Sequence, residues 1–149
     1  MKVLKPFFLF AILFTFTNLQ AQDKTLPVSE APANIKSFVK AHFPNNKISR
    51  IHVDEGFFTI EYEVYLDNKT ELEFDKGLFD DKPSLEKIDT EDGIPNSFFQ
   101  KNIRDYISKK YPNTTVIEWQ IDDGEQTLDL SNGLELIFDT KGNFIRRDD

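Results

Sequence analysis

The stretch Leu26–Gly56, LPVSEAPANIKSFVKAHFPNNKISRIHVDEG, returns at Ile94–Gly124 as IPNSFFQKNIRDYISKKYPNTTVIEWQIDDG. Leu26-Pro27 recurs as Ile94-Pro95, Asn34-Ile35 as Asn102-Ile103, and Phe43-Pro44-Asn45 as Tyr111-Pro112-Asn113. Further on, Leu66-Asp67-Asn68 answers to Leu130-Ser131-Asn132, and Leu72-Glu73-Phe74-Asp75 to Leu136-Ile137-Phe138-Asp139. A repeat of this length fixes an architecture of two like units that share a core.

Within each copy the hydrophobic period changes once. Ile35, Phe38, Val39 and His42 follow helical spacing, as do Phe99, Ile103, Tyr106 and Ile107 in the second copy. Each run makes one apolar stripe that stops at Pro44 or Pro112. Ser29, and Ser97 or Asn96, are the expected helix caps. After the proline, apolar residues alternate with polar ones: Ile51 and Val53, Ile60 to Leu66, Leu72 and Phe74, then Leu85–Ile88. The second copy gives Ile117 to Ile121, Leu128 and Leu130, Leu134 to Phe138, then Phe144–Arg146. Period two marks strands with one buried and one wet face. The expected fold is therefore α+β: two tandem helix-plus-four-strand repeats forming an antiparallel sheet with the helices on one face.

The turns refine the expectation. Ser131-Asn132-Gly133 suits a three-residue hairpin loop with Gly133 at positive φ, pairing Leu130 with Leu134 and Leu128 with Leu136. The first copy has Lys69 at that place, which predicts a looser hairpin. Lys76–Ser84 reads as a loop longer than its counterpart Thr140–Asn143, and residues 22–28 as a polar lead-in.

Residues 1–21 read as a secretory signal peptide: Lys2 and Lys5, an apolar run from Phe7 to Phe16, and a small residue at Ala21. The run is shorter than the ~20 residues that span a bilayer. Cleavage leaves residues 22–93 as the first repeat and 94–149 as the second, within one compact domain. With no cysteine, an exported chain has no disulfide framework and no lipidated Cys. Loss of the two leader lysines takes the formal charge from −8 to −10. Such a surface repels nucleic acid and anionic lipid and favours basic partners or cations. The expected place is periplasmic or secreted, without stable membrane insertion.

The repeat, with Leu/Ile-Pro, an amphipathic helix ending in aromatic-Pro, and Leu130-Ser131-Asn132-Gly133 through Phe138-Asp139, resembles the PepSY-like, β-lactamase-inhibitor-like family of exported Bacteroidetes-type proteins. The resemblance covers both copies and is fullest in the second. It implies a fold like the tandem-repeat β-lactamase inhibitor protein, with one sheet face open. It implies no catalytic residues and does not imply inhibition of a β-lactamase, because fold alone does not carry function.

One constellation stands out on the wet face. Glu61, Glu63 and Tyr65 on one strand face Glu71, Glu73 and Asp75 on the next, with Glu63 expected opposite Glu73 and Glu61 opposite Asp75. Like charges directly opposite destabilise a sheet. The patch thus reads as a docking face for a basic protein or peptide, with Phe57, Phe58 and Tyr65 as aromatic anchors. A purely structural alternative has Arg50 and His52 neutralising it. No metal site is expected, since His52 lacks a second ligand at useful spacing and the Asp-rich turns lack EF-hand spacing. No cofactor motif, nucleophile elbow or phosphate loop is present. The reading is an exported, non-enzymatic binding module; the alternatives are a calcium- or cation-dependent envelope structural protein and a hydrolase.

Overall fold

The computed structural model describes residues 24–148, so the expected signal peptide lies outside the described residues. Among these, strands β1 (Lys24–Thr25), β2 (Ile48–Glu55), β3 (Thr59–Leu66), β4 (Glu71–Gly77), β5 (Ser84–Asp89), β6 (Val116–Asp122), β7 (Glu125–Leu130), β8 (Glu135–Asp139) and β9 (Phe144–Asp148) form one sheet. Their order in space is their order in sequence, and every pairing is antiparallel. Helices α1 (Ala33–His42) and α2 (Lys101–Lys110) each precede four of these strands. The α+β expectation holds.

The alternating residues explain the layer structure. Ile51, Val53, Val64, Leu66, Leu72, Phe74 and Ile88 are buried in the first half, and Val116, Trp119, Leu128, Leu130, Leu136 and Phe138 in the second. Against them pack Ile35 and Val39 of α1 and Ile103 of α2, all in one cluster. Each helix is docked by the same aromatic contact. Phe38 meets Phe74 at 5.6 Å and 84°, and its repeat counterpart Tyr106 meets Phe138 at 5.6 Å and 88°. Edge-to-face rings of this kind add to the area they bury. Phe98, packed on both Phe38 and Trp119, ties the two halves together.

Three local expectations are corrected. Neither Ser29 nor Ser97 caps a helix: each lies in a short 3-10 turn, Val28–Glu30 or Asn96–Phe98, and the helices begin after Pro32 and Gln100. Pro32 forces Ala31 before it into an extended conformation, so a helix cannot run through from Ser29. The lead-in is not all irregular, because Lys24 and Thr25 pair with Val53 and His52. Two residues are too few for any periodicity to reveal. Nor is the first hairpin looser. Leu66 N–H donates to Thr70 O at 2.8 Å, just as Leu130 N–H donates to Leu134 O at 2.9 Å. Lys69 takes up the positive φ of 68° that Gly133 adopts at 84°. Cross-strand pairing and the Asn68 side chain, which accepts from Thr70 N–H as Asn132 does from Leu134 N–H, hold it there.

The loop between β4 and β5 is Leu78–Pro83, Lys76 and Gly77 having joined β4 and Ser84 β5. Asn34 Nδ2 donates to Pro83 O at 2.7 Å, and its repeat counterpart Asn102 donates to Lys141 O at 2.8 Å. The recurring Asn thus pins the turn before the last strand of each repeat to the start of its helix.

Candidate functional site: the polar sheet face

The register places the predicted acidic residues as expected. Glu61 stands opposite Asp75, Glu63 opposite Glu73, and Tyr65 opposite Glu71. On the other side of β3, Arg50 lies opposite Tyr65, His52 opposite Glu63, and Asp54 opposite Glu61. All six of Glu61, Glu63, Tyr65, Glu71, Glu73 and Asp75 are half-buried on this surface.

Crowding leaves a mark on their ionisation. Partial burial raises the Glu61 carboxyl above its ordinary range, and the charges of Asp75, Glu73, Glu63 and Asp54 add to it. Burial also raises Glu73; Lys87 pulls it down, but Glu71, Glu63 and Asp75 push it up again. Asp75 is raised by burial, and Glu86 by burial together with Asp75 and Asp122. A carboxyl raised in this way is one whose charge the fold disfavours.

Two cations answer part of the patch. The Arg50 guanidinium sits 4.1 Å from the Tyr65 ring centroid, a cation–π contact. The Tyr65 hydroxyl donates to Glu63 Oε2 at 2.9 Å. Partial burial and this bond to Glu63 push the tyrosine up to about 12. Tyr65 is thus contacted on its ring by Arg50 and at its hydroxyl by Glu63. Arg50, expected to neutralise part of the patch, stacks on the Tyr65 ring beside Glu63.

Lys87 is the second cation, and the sequence reading missed it. Its Nζ lies 3.9 Å from Glu73 and 3.3 Å from Glu118 of β6, so it spans the seam between the repeats. Burial lowers its pKa, but Glu118 and Glu73 outweigh that and the net shift is upward. A bulge opposite Glu73/Phe74 turns Lys87 to this face. The signal was present in the inward pair Leu85 and Ile88, whose three-residue spacing breaks strict alternation.

The second repeat continues the surface with Glu118, Asp129, Glu125, Glu135 and Asp139 through the β6–β7 and β7–β8 ladders. Its central pair differs: Thr127 and Ile137 stand at the repeat positions of Glu63 and Glu73, and Ile137 is buried on the polar side. Arg146 of β9 binds Glu125 at 3.0 Å. Acid-on-acid pairs recur in this repeat, with Glu118 facing Asp129, Glu125 facing Asp139 and Asp129 facing Glu135. Among the described residues, no three His, Asp or Glu side chains gather so as to hold a metal ion.

Phe57 and Phe58 lie outside the ladder, at the tip of the β2–β3 hairpin, with their rings 4.7 Å apart and edge to face. Both are exposed.

A family described as "Putative beta-lactamase-inhibitor-like, PepSY-like" matches the chain over residues 16–79 and again over 78–146. Three crystal structures share the fold. A periplasmic protein of the DUF2874 family from Bacteroides vulgatus ATCC 8482 is 28% identical, with a TM-score of 0.73 over 85% of this chain and 97% of its own. A protein from Bacteroides thetaiotaomicron, described as a "putative calcium-regulated periplasmic protein", is 30% identical, with a TM-score of 0.73 over 85% of this chain and 97% of its own. A further periplasmic protein of unknown function from B. vulgatus is 27% identical, with a TM-score of 0.74 over 86% of this chain and all of its own. None of the curated proteins matches. No helix among the described residues is long and apolar enough to cross a membrane.

Proposed function

The chain belongs to the PepSY-like, β-lactamase-inhibitor-like family and is a periplasmic or secreted protein; from that premise we propose that it is a non-enzymatic binding module. It engages a basic protein or peptide through the acidic sheet face of its first repeat. The observation that carries this reading is the facing of Glu63 by Glu73 and of Glu61 by Asp75. Such pairs weaken the ladder they sit in; the second repeat keeps the outer pair as Glu125 facing Asp139 but has Thr127 facing Ile137 in place of Glu63 and Glu73. The fold thus has a less repulsive solution at this place and does not use it in the first repeat. A cationic partner would turn the repulsion into attraction and would be steered by the field of the whole face.

The test compares wild-type protein with a Glu63→Lys/Glu73→Lys variant as baits in periplasmic extract, with melting temperature as the control for folding. The variant is expected to fold and to lose the specifically retained protein. An unchanged set of retained proteins counts against the acidic face.

One relative is described as calcium-regulated. In this chain the described carboxylates do not gather as ligands, and calcium forms no part of the reading. The expected melting temperature is the same in chelator and in millimolar calcium. A calcium-dependent rise would reinstate the cation-dependent alternative, because a ligand held only by the native state stabilises it.

A further inference from the structure

One row of the polar face reads differently in the two repeats. In the first it runs Arg50, Tyr65, Glu71 and Asp89 across β2 to β5, each residue directly opposite the next. The Arg50 guanidinium lies over the Tyr65 ring there. In the second repeat the same places hold Glu118, Asp129, Glu135 and Asp148, four acids in line. The guanidinium and the ring are both gone. Beside Asp129, which stands where Tyr65 does, opens a pocket of about 240 Å³ lined by Ile117, Asp129, Leu130, Gly133, Glu135 and Asp148.

The chain's own cations serve only the two ends of this row. Lys87 reaches Glu118 at 3.3 Å, and Arg146 reaches Asp148 at 3.4 Å. Among the described residues no cation pairs with the central Asp129 or Glu135. Asp129 Oδ1 is buried and accepts no hydrogen bond. A buried acceptor left unbonded is costly and rare in a folded protein, so it points to a donor that arrives from outside. Ile117 and Leu130 give the pocket an apolar side, which suits the methylene stem of a long cationic side chain. Two facing carboxylates suit the planar fork of a guanidinium better than a point-like ammonium. A water takes up only ~30 Å³, so the space holds a head group of this size.

We infer that this pocket seats an arginine side chain of the basic partner: the second repeat receives from another molecule the guanidinium that the first supplies itself through Arg50. This rests on the acidic-face reading above and adds a fixed point to it. The Asp129–Glu135 pair lies four strand spacings from the Glu63–Glu73 pair, or roughly 20 Å. An extended partner segment needs about six residues to bridge the two.

The test titrates the protein with arginine amide and with its neutral isostere citrulline amide at physiological salt, following backbone amide signals by NMR. Shifts are expected at Ile117, Asp129 and Glu135, with arginine amide bound about tenfold more tightly than citrulline amide. Asp129→Asn/Glu135→Gln is expected to lose this preference, and Glu63→Gln/Glu73→Gln to keep it. Melting temperature controls for folding, and Asp129→Asn alone carries the test if the double variant unfolds. An equal response to both ligands, or a preference that survives Asp129→Asn/Glu135→Gln, overturns the pocket. So does a preference lost equally in Glu63→Gln/Glu73→Gln, which would assign the attraction to the whole face. The bait comparison above decides the acidic-face reading separately. If it fails while arginine amide still binds, that reading falls and the pocket stands as a guanidinium site.

Discussion

Glu63 of β3 stands directly opposite Glu73 of β4, two half-buried carboxylates in one ladder pair. Lys87 relieves this only in part, because it lies closer to Glu118 than to Glu73. The raised pKa of Glu73 despite that lysine shows burial and repulsion outweighing the attraction. Replacing Glu73 by Gln is expected to stabilise the protein by about 0.5 kcal/mol, the scale of a cross-strand pair. Urea unfolding checks this; a fall in midpoint would mean that the bond to Lys87 dominates.

The same crowding sets a pH dependence. For Glu61, Glu73, Asp75 and Glu86 the folded pKa lies above the unfolded one. The folded state therefore binds protons first, and these groups destabilise it fully only above their raised pKa. Asp67 and Asp139 behave oppositely. Hydrogen bonds from Asn46 and from Asn143 hold them low, so their contribution is lost only when pH falls through their depressed values. The melting temperature is expected to rise as pH falls through the raised pKa values of these four carboxyls and to decline as it falls further through the depressed values of Asp67 and Asp139. Scanning calorimetry across this range decides it, and a monotonic fall from pH 7 would contradict the assignment.

Lys69 occupies a left-handed conformation that its twin fills with Gly133. The side chain costs about 1 kcal/mol there, set against glycine's greater freedom in the unfolded chain. Lys69→Gly should raise stability by about 0.5 kcal/mol, whereas Gly133→Lys should lower it by a similar or larger amount. Paired thermal melts of the two variants provide the comparison.

β9 is the structural twin of β5. Glu71, Leu72 and Glu73 pair with Asp89, Ile88 and Lys87, as Glu135, Leu136 and Ile137 pair with Asp148, Arg147 and Arg146. β5 carries β6 on its outer edge, and β9 is the last strand of the sheet. Where β5 has the fully buried Ile88 facing Trp119, β9 has the exposed Arg147. A charge on the core side of an edge strand discourages another strand from adding. Arg147→Ile is expected to increase concentration-dependent association over the wild type in sedimentation velocity. Unchanged sedimentation would show that the edge is protected by other means.

The sequence by itself determined the repeat, the helix-then-strands order, the inward faces and the β3–β4 register. All of these follow from periodicity and from a duplicated turn that admits one pairing. It also put Glu63 opposite Glu73, since a three-residue loop fixes every pair behind it. Helix starts were misread because Ser29 and Ser97 look like caps; in the first repeat the proline after Ala31 decides the local backbone, and in the second Phe99 and Gln100 are extended with no proline to signal it. Nothing in the sequence shows that Arg50 lies over the Tyr65 ring. Only the tertiary structure decided that Lys87 joins the two repeats, that Tyr65 is held between Arg50 and Glu63, and that Phe57-Phe58 and Leu78 share one groove. Each of these joins side chains from different strands or turns, and two of them cross a bulge or join different hairpins. Their distances depend on how strands stack side by side, which a pattern read along one strand does not contain.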